Sequence, residues 1–160
     1  MKFTCTRENL MQALDIVGGI AGKHNNLPIL ENMRIAVENA KVEFAATNLE
    51  LAVRVPLRAK VESTGAFTVP AKTLAEYVRL LSDEQVTLEL VGSELAVSSA
   101  ASSTKIKGAP ADEYPVLPEA EDGVGYSLLV DPFREALSKV AVAVARNEIR
   151  PELSGVYFGF

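Results

Sequence analysis

Apolar positions recur along the chain in two rhythms that replace one another. Leu10, Ala13, Leu14, Val17 and Ile20-Ala21 share one face at helical spacing, which predicts an amphipathic helix. The helix follows a short strand-like start, Phe3-Thr4-Cys5, with Thr6 placed to cap it. It dissolves into Gly18-Gly19 and Gly22-Lys23-His24-Asn25-Asn26. The rhythm then shortens to alternation: Met33, Ile35 and Val37, a polar Glu38-Asn39 turn, then Val42, Phe44 and Ala46. A further strand runs through Leu51, Val53 and Val55 to Pro56, which interrupts it or marks it as an edge. The whole stretch predicts an antiparallel meander.

The same order then begins again. Phe67-Thr68-Val69 is strand-like, and Leu74, Tyr77, Val78 and Leu81 predict a second helix. Val86, Leu88 and Leu90 predict a strand, followed by a turn at Val91-Gly92-Ser93-Glu94 and a return through Leu95 and Val97. Ser98 to Lys107 is a weaker, edge-like strand. Residues 109–123 are acidic, proline-rich and without period, and are expected to be a linker. A third start follows: Tyr126 to Val130 as a strand, Asp131-Pro132 as an N-cap and first-turn pair, and a helix carrying Phe133, Ala136, Leu137 and Val140. The chain ends in an alternating stretch, Leu153 to Phe160, expected to be a strand.

Superposing these starts points to internal repetition. With Phe3-Thr4 laid on Phe67-Thr68, Leu10 falls on Leu74, Leu14 on Val78 and Val17 on Leu81. With Phe3-Thr4 laid on Tyr126-Ser127, Ala13-Leu14 falls on Ala136-Leu137, Lys23 on Arg146, Pro28 on Pro151, Leu30 on Leu153 and Ile35 on Phe158 without a gap. The expected organisation is a unit of about 120 residues made of two strand-helix-meander halves, then the opening of a second unit. In numbers, residues 1–122 form the first domain and 123–160 a truncated second one. The fold class is α+β, with two helices packed side by side on antiparallel sheets.

Composition removes whole classes of function. The chain has 160 residues, 48% of them hydrophobic and 23% charged, which suits a packed core and excludes a disordered tail. The single cysteine excludes an internal disulfide, and no run approaches the ~20 apolar residues of a membrane span. The start Met1-Lys2-Phe3-Thr4 lacks an apolar signal segment, so the expected compartment is the cytoplasm. A net charge of −5 argues against electrostatic coating of nucleic acid, while leaving room for a local basic surface.

Catalytic and metal constellations are sparse. The one cysteine-histidine pair would be Cys5 with His24, and Cys5 sits in an apolar strand, where a buried structural thiol is the simpler account. No spacing of His, Cys and carboxylates suggests metal ligands, and Gly22-Lys23 lacks both the earlier glycine and the following hydroxyl of a phosphate loop. Asp112, Glu113, Glu119, Glu121 and Asp122 read as solvated linker charges. Ser98, Ser99, Ser102, Ser103 and Thr104 read as an exposed edge. No catalytic residue, metal or cofactor is expected. The cations say more. Lys23-His24 and Arg146-Asn147 occupy equivalent places after the first helix of each unit, Lys72 and Arg79 flank the second helix, and Arg134 and Lys139 lie on the third. Such a scatter could follow a phosphate backbone without reading bases, or be ordinary solvated helix surface, since Glu8, Asp15, Glu76 and Glu135 share the same helices.

Five segments together carry a family resemblance: Met1-Lys2-Phe3-Thr4, Leu27-Pro28-Ile29-Leu30-Glu31-Asn32, Ala46-Thr47-Asn48-Leu49-Glu50-Leu51, Thr68-Val69-Pro70-Ala71-Lys72 and Asp112 to Pro118. In this order they resemble the bacterial DNA polymerase sliding clamps, the beta subunits of DNA polymerase III. The resemblance implies a DNA-clamp fold and a homodimeric ring around double-stranded DNA, with helices lining the hole. It implies a non-catalytic processivity factor, an accessory subunit of a DNA-directed DNA polymerase. The implied partners are the replicative polymerase and the clamp loader, docking through a pocket that lies mostly outside these residues; no membrane is involved. Carried onto this sequence, DNA contact falls to Lys23, His24, Lys72, Arg146 and Asn147. His24 stands where an arginine often sits and Asn147 where a glutamine often sits, so Lys23, Lys72 and Arg146 carry most of the charge. Thr104-Lys105-Ile106-Lys107 resembles the strand that pairs with the third domain of the partner subunit, with Thr104 in place of a larger apolar residue, and Thr104 and Ile106 are the expected interface residues. Two other expectations compete with this one: an oligomerisation scaffold that uses the same sheet edges without encircling DNA, and an enzyme with an unrecognised site.

Overall fold

The computed structural model describes residues 1–22, 27–117, 124–145 and 151–159, which belong to two compact units, Met1–Pro118 and Glu119–Phe160. In the first unit a strand runs straight into a helix twice: β1 (Lys2–Thr6) into α1 (Arg7–Gly18), and β6 (Gly65–Pro70) into α2 (Ala71–Leu80). Between them lie β2 (Asn32–Glu38), β3 (Lys41–Thr47), β4 (Ala52–Leu57) and β5 (Lys60–Ser63). After α2 come β7 (Gln85–Val91), β8 (Glu94–Ser98), β9 (Ser103–Lys107) and the short β10 (Ala109–Pro110). They form two five-stranded antiparallel sheets, in the orders β5-β1-β7-β8-β9 and β10-β6-β2-β3-β4.

Exchanging every strand for its counterpart in the other half turns one order into the other. The first strand of each half therefore lodges in the meander of the other half. The registers agree as well. Phe3 stands opposite Leu88 and Cys5 opposite Val86, as Phe67 stands opposite Ile35 and Val69 opposite Met33. One strand further in, Leu88 faces Val97 as Ile35 faces Phe44. The repetition seen in the sequence is present as paired topology.

One core serves both sheets and both helices. Phe3 of one sheet meets Phe44 of the other edge to face, with ring centroids 6.4 Å apart and planes at 63°. Leu10, Ala13, Leu14 and Val17 of α1, and Ala71, Leu74, Ala75 and Val78 of α2, bury the predicted stripes. Each of the larger of these side chains contributes roughly 1.5–3 kcal/mol by leaving water. Thr6 caps α1 as expected, its Oγ1 accepting the Asn9 N–H at 3.2 Å. Pro56 sits in β4, an edge strand, the setting in which a proline's missing donor is tolerated.

The stretch expected to be a linker begins as part of the fold. β10 pairs with β6, and Thr68, fully buried beneath it, donates its hydroxyl to the Ala109 carbonyl at 2.9 Å while accepting from Asn32 Nδ2 at 3.0 Å. Further on, the Tyr114 hydroxyl donates to the Asn32 carbonyl at 3.2 Å and accepts the Thr47 N–H at 3.1 Å. Tyr114 and Leu117 pack on Ala45 and Ile29, and Arg54 Nη2 donates to the Leu117 carbonyl at 3.0 Å. Acidic and proline residues dominate the composition here, but two apolar anchors and one buried hydroxyl are enough to dock the chain. Residues 118–123 lie outside the described ones.

The second unit contains α3 (Val130–Val140) and short 3₁₀ turns at Ala141–Ala143 and Pro151–Leu153. Three expectations fail in it. Neither Tyr126–Val130 nor the described part of the terminal alternating stretch forms a strand. A strand needs a ladder, and in the first unit each opening strand finds its ladder in a hairpin of the other half; among residues 124–159 no such hairpin is described. Asp131 does not cap α3 either. The N-cap position is Leu129, and Asp131 lies inside the first turn, where it accepts from Arg134 Nη2 at 3.0 Å. The Phe133 and Phe158 rings meet at a tilt of 39° with centroids 5.9 Å apart, and the Ala145 N–H donates to the Leu153 carbonyl at 2.9 Å.

Two substitutions test the packing of the first unit. A Cβ on Gly108 would lie 1.9 Å from the Thr68 carbonyl oxygen and 2.6 Å from the Phe67 ring. Gly108→Ala is expected to lower stability by about 1–3 kcal/mol or more, read from urea unfolding. Ala40, in the two-residue turn between β2 and β3, has a φ of 61° behind Asn39 at 48°. Both central residues of such a turn favour glycine or asparagine. Ala40→Gly is expected to raise stability by ~0.5 kcal/mol, the relief of a left-handed alanine exceeding the added freedom of the unfolded glycine.

Candidate nucleic-acid interface

The two helices of the first unit pack against each other and leave their polar faces in solvent. Arg7, at the start of α1, spans the join. Its Nε donates to the Val78 carbonyl and its Nη2 to the Arg79 carbonyl, each at 3.1 Å. These are carbonyls of the last turn of α2, where the helix dipole is negative, so the guanidinium acts as a C-terminal cap supplied by the neighbouring helix.

A second link joins the exposed faces. Arg79 Nη2 donates to Asp15 Oδ1 at 2.8 Å, with both side chains more than half exposed. On the outer surface of α2, Lys72 Nζ lies 3.9 Å from Glu76 Oε1. Asp15, Lys72, Glu76 and Arg79, together with Gly22 and Glu31, line a shallow groove of about 690 Å³ between the two helices and the turn after α1.

Of the DNA-contact residues expected from the sequence, Lys72 is placed by the structure: it sits in the first turn of α2 at the rim of this groove, with its side chain 88% exposed. Gly22, in the left-handed region at φ 78°, lines the same groove and is followed directly by Lys23. Lys23 and His24 lie outside the described residues, as do Arg146 and Asn147 of the second unit. The inter-helix pair Asp15–Arg79 was not singled out from the sequence. Its signal was there: the two residues are 64 apart, the separation that lays Leu10 on Leu74 and Leu14 on Val78. Each is the other's counterpart in the repeat.

The expected subunit-contact strand is β9, an outer strand of its sheet. Thr104 is half-buried opposite Val97, and Ile106 is buried opposite Leu95 within the core. What the strand offers outward is its backbone edge and the exposed side chains of Lys105 and Lys107. The turn that leads into β9 is pinned. The Asp83 carboxylate accepts the Ala101 N–H at 3.0 Å, and the Tyr77 and Ser102 hydroxyls lie 2.8 Å apart in a hydrogen bond.

Cys5 is buried, and loss of hydration pushes its thiol up to about 12, so it is a neutral filler of the core at physiological pH. Among the described residues no group of three His, Cys, Asp or Glu side chains could hold a metal ion, and no helix is long and apolar enough to cross a membrane.

Against this geometry the comparisons are specific. The family model described as the DNA polymerase III beta subunit, N-terminal domain, matches residues 1–118. The chain belongs to that family. It is 33% identical to the beta sliding clamp of Vibrio cholerae and 30% identical to that of Haemophilus influenzae, in each case over 99% of this chain and 44% of the relative. The crystal structure of the DNA polymerase III subunit beta from Pseudomonas aeruginosa superposes with a TM-score of 0.85 at 28% identity, over 97% of this chain and 43% of that one. The fold is therefore the α+β DNA-clamp fold, and the chain spans less than half the length of the clamps it matches.

Asp83 gives this region a pH signature. Hydrogen bonds from Ser99 and then from the Ala101 N–H hold its carboxyl below the usual carboxylate range. A lowered folded value means that the turn is favoured at every pH above the ordinary carboxylate range and loses that support only as pH falls through the lower, folded one. The Ala101 amide is expected to keep its chemical shift from pH 7 to 5 and to move only in stronger acid. In Asp83→Ala the loosened shift should already be present at pH 7.

Proposed function

We propose that this chain forms part of a DNA sliding clamp, a ring of two head-to-tail subunits that encloses duplex DNA and holds the replicative polymerase at its template. The protein does no chemistry itself; it is an accessory subunit in the cytoplasm, and retention comes from topology. The observation that carries the proposal is the helix pair. Two helices with solvated polar faces are braced by two sheets whose outermost strands are left as open edges. A ring needs such a unit: a surface for DNA, a rigid support and edges through which units join. Membership of the beta-subunit family supports the same assignment.

Within it, residues 1–122 are the first clamp domain and those from 123 onward begin a second. Lys23, His24 and Lys72 of the first, with Arg146 and Asn147 of the second, contact the phosphate backbone without selecting bases. The β9 edge, with Thr104 and Ile106, joins the partner subunit, Ile106 supporting the strand from inside the core. Polymerase and clamp loader dock elsewhere on the ring. The alternative of a scaffold that never encircles DNA has no observation in its favour.

Retention separates the two. Loaded by a clamp loader, the natural protein is expected to stay with nicked circular plasmid through gel filtration and to be lost within minutes once the plasmid is linearised. Equal retention on both forms, or loss from both, would overturn the proposal.

A further inference from the structure

Every described cation on α1 and α2 already has a partner inside the protein. Arg79 of α2 is held by Asp15 of α1 at 2.8 Å, and Lys72 approaches Glu76 at 3.9 Å. Arg7 is spent on the Val78 and Arg79 carbonyls. The pattern recurs on α3, where Arg134 meets Asp131 at 3.0 Å and Lys139 meets Glu135 at 2.6 Å. These pairs are exposed, and exposed pairs are weak enough to exchange with a competing anion.

We propose that Arg79 is a further phosphate-contact residue and that Asp15 is its resident competitor, so that this helix face binds a duplex by exchanging partners. The inference rests on the clamp reading. It adds a contact residue and a device that limits the strength of contact. Three observations support it. Arg79 lines the same groove as Lys72, so a strand of phosphates reaching one is within range of the other. Asp15 and Arg79 are counterparts in the internal repeat, so the pair sits where the two helices meet, at the centre of the surface they share. Arg79 is anchored through Nη2 to one carboxylate oxygen and its side chain is 58% exposed, so a competing anion can reach it from solvent. When a phosphate arrives, Arg79 gains an anion and Asp15 is left as a repelling charge beside it. Contact is therefore brief, and the face drifts along the duplex without gripping it.

The test measures binding of the chain to a fluorescent 30-bp duplex by anisotropy, as a function of salt. Asp15→Asn is expected to tighten binding roughly 3- to 10-fold at low salt and to steepen the slope of log K against log[salt] by about one unit. Arg79→Gln in the Asp15→Asn background should remove that gain. Glu62→Gln, an equal change of net charge in β5, should not reproduce it. The inference is overturned if Asp15→Asn leaves affinity and slope unchanged, if the double variant keeps the gain, or if Glu62→Gln matches it. Failure of the clamp reading looks different: Lys72→Ala would then change duplex affinity no more than Lys60→Ala in β5. Asp15 is exposed, so circular dichroism should show every variant folded.

Discussion

The fold depends on an exchange of opening strands. β1 lies between β5 of its own half and β7 of the second half, and β6 lies likewise between β10 of its own half and β2 of the first. Neither half can complete its sheet alone, because the strand that closes the ladder comes from the other half. The exchange also places the helices. α1 starts where β1 leaves one sheet, at Thr6, and α2 starts where β6 leaves the other, at Pro70. Both apolar stripes then enter one core, which holds Phe3 against Phe44 between the sheets. Cutting the unit between its halves would expose two sheet edges and two helix stripes together, so it should fold and unfold as one cooperative body.

Much of this was legible because it follows from local periodicity. The stripes of α1 and α2, the cap at Thr6 and the hairpins around Asn39 and Gly92 all rest on neighbours within a few residues. The repetition was legible for another reason: positions equivalent in the core must be of similar size, so Phe3 and Phe67, or Leu10 and Leu74, keep company. What escaped depends on distant partners. β5 and β10 are too short to show a period, and each exists only because an exposed ladder edge, of β1 or β6, receives it. The docked stretch through Tyr114 is invisible for the same reason, since its two anchors fit a surface made by Ala45 and Ile29. In the second unit the error ran the other way. Tyr126–Val130 has strand composition but no ladder among the described residues, and composition without a ladder does not make a strand.

The candidate interface was half legible. Cations on helix surfaces can be placed from sequence, and Lys72 is where the pattern put it. Their state of pairing cannot be read the same way, because Asp15 and Arg79 lie on different helices. The repeat supplied the missing information. When two related helices pack about a shared centre, a residue near that centre meets its own counterpart. Two arginines there would repel and two aspartates would do the same; an aspartate opposite an arginine is the arrangement a duplicated surface can hold without cost.

This bears on how an acidic protein can hold a polyanion. Net charge is an integral over the whole surface, and a chain at −5 can still present neutral or positive ground where it matters. The described helix surfaces are neither strongly positive nor bare: Lys72 and Arg79 each have a carboxylate within 4 Å. For a protein that binds by affinity, such matching would be a defect, since each phosphate must displace a resident partner. For a ring held by topology it is an advantage. Retention is then independent of contact strength, whereas the friction of sliding grows with it, because every step along the duplex breaks the contacts of the step before. Under that constraint, weak and quickly exchanged contacts give the fastest motion, and a carboxylate beside each cation is the simplest way to keep them weak. On the clamp reading, the acidity of the chain is compatible with a polyanion that is held by topology and never gripped.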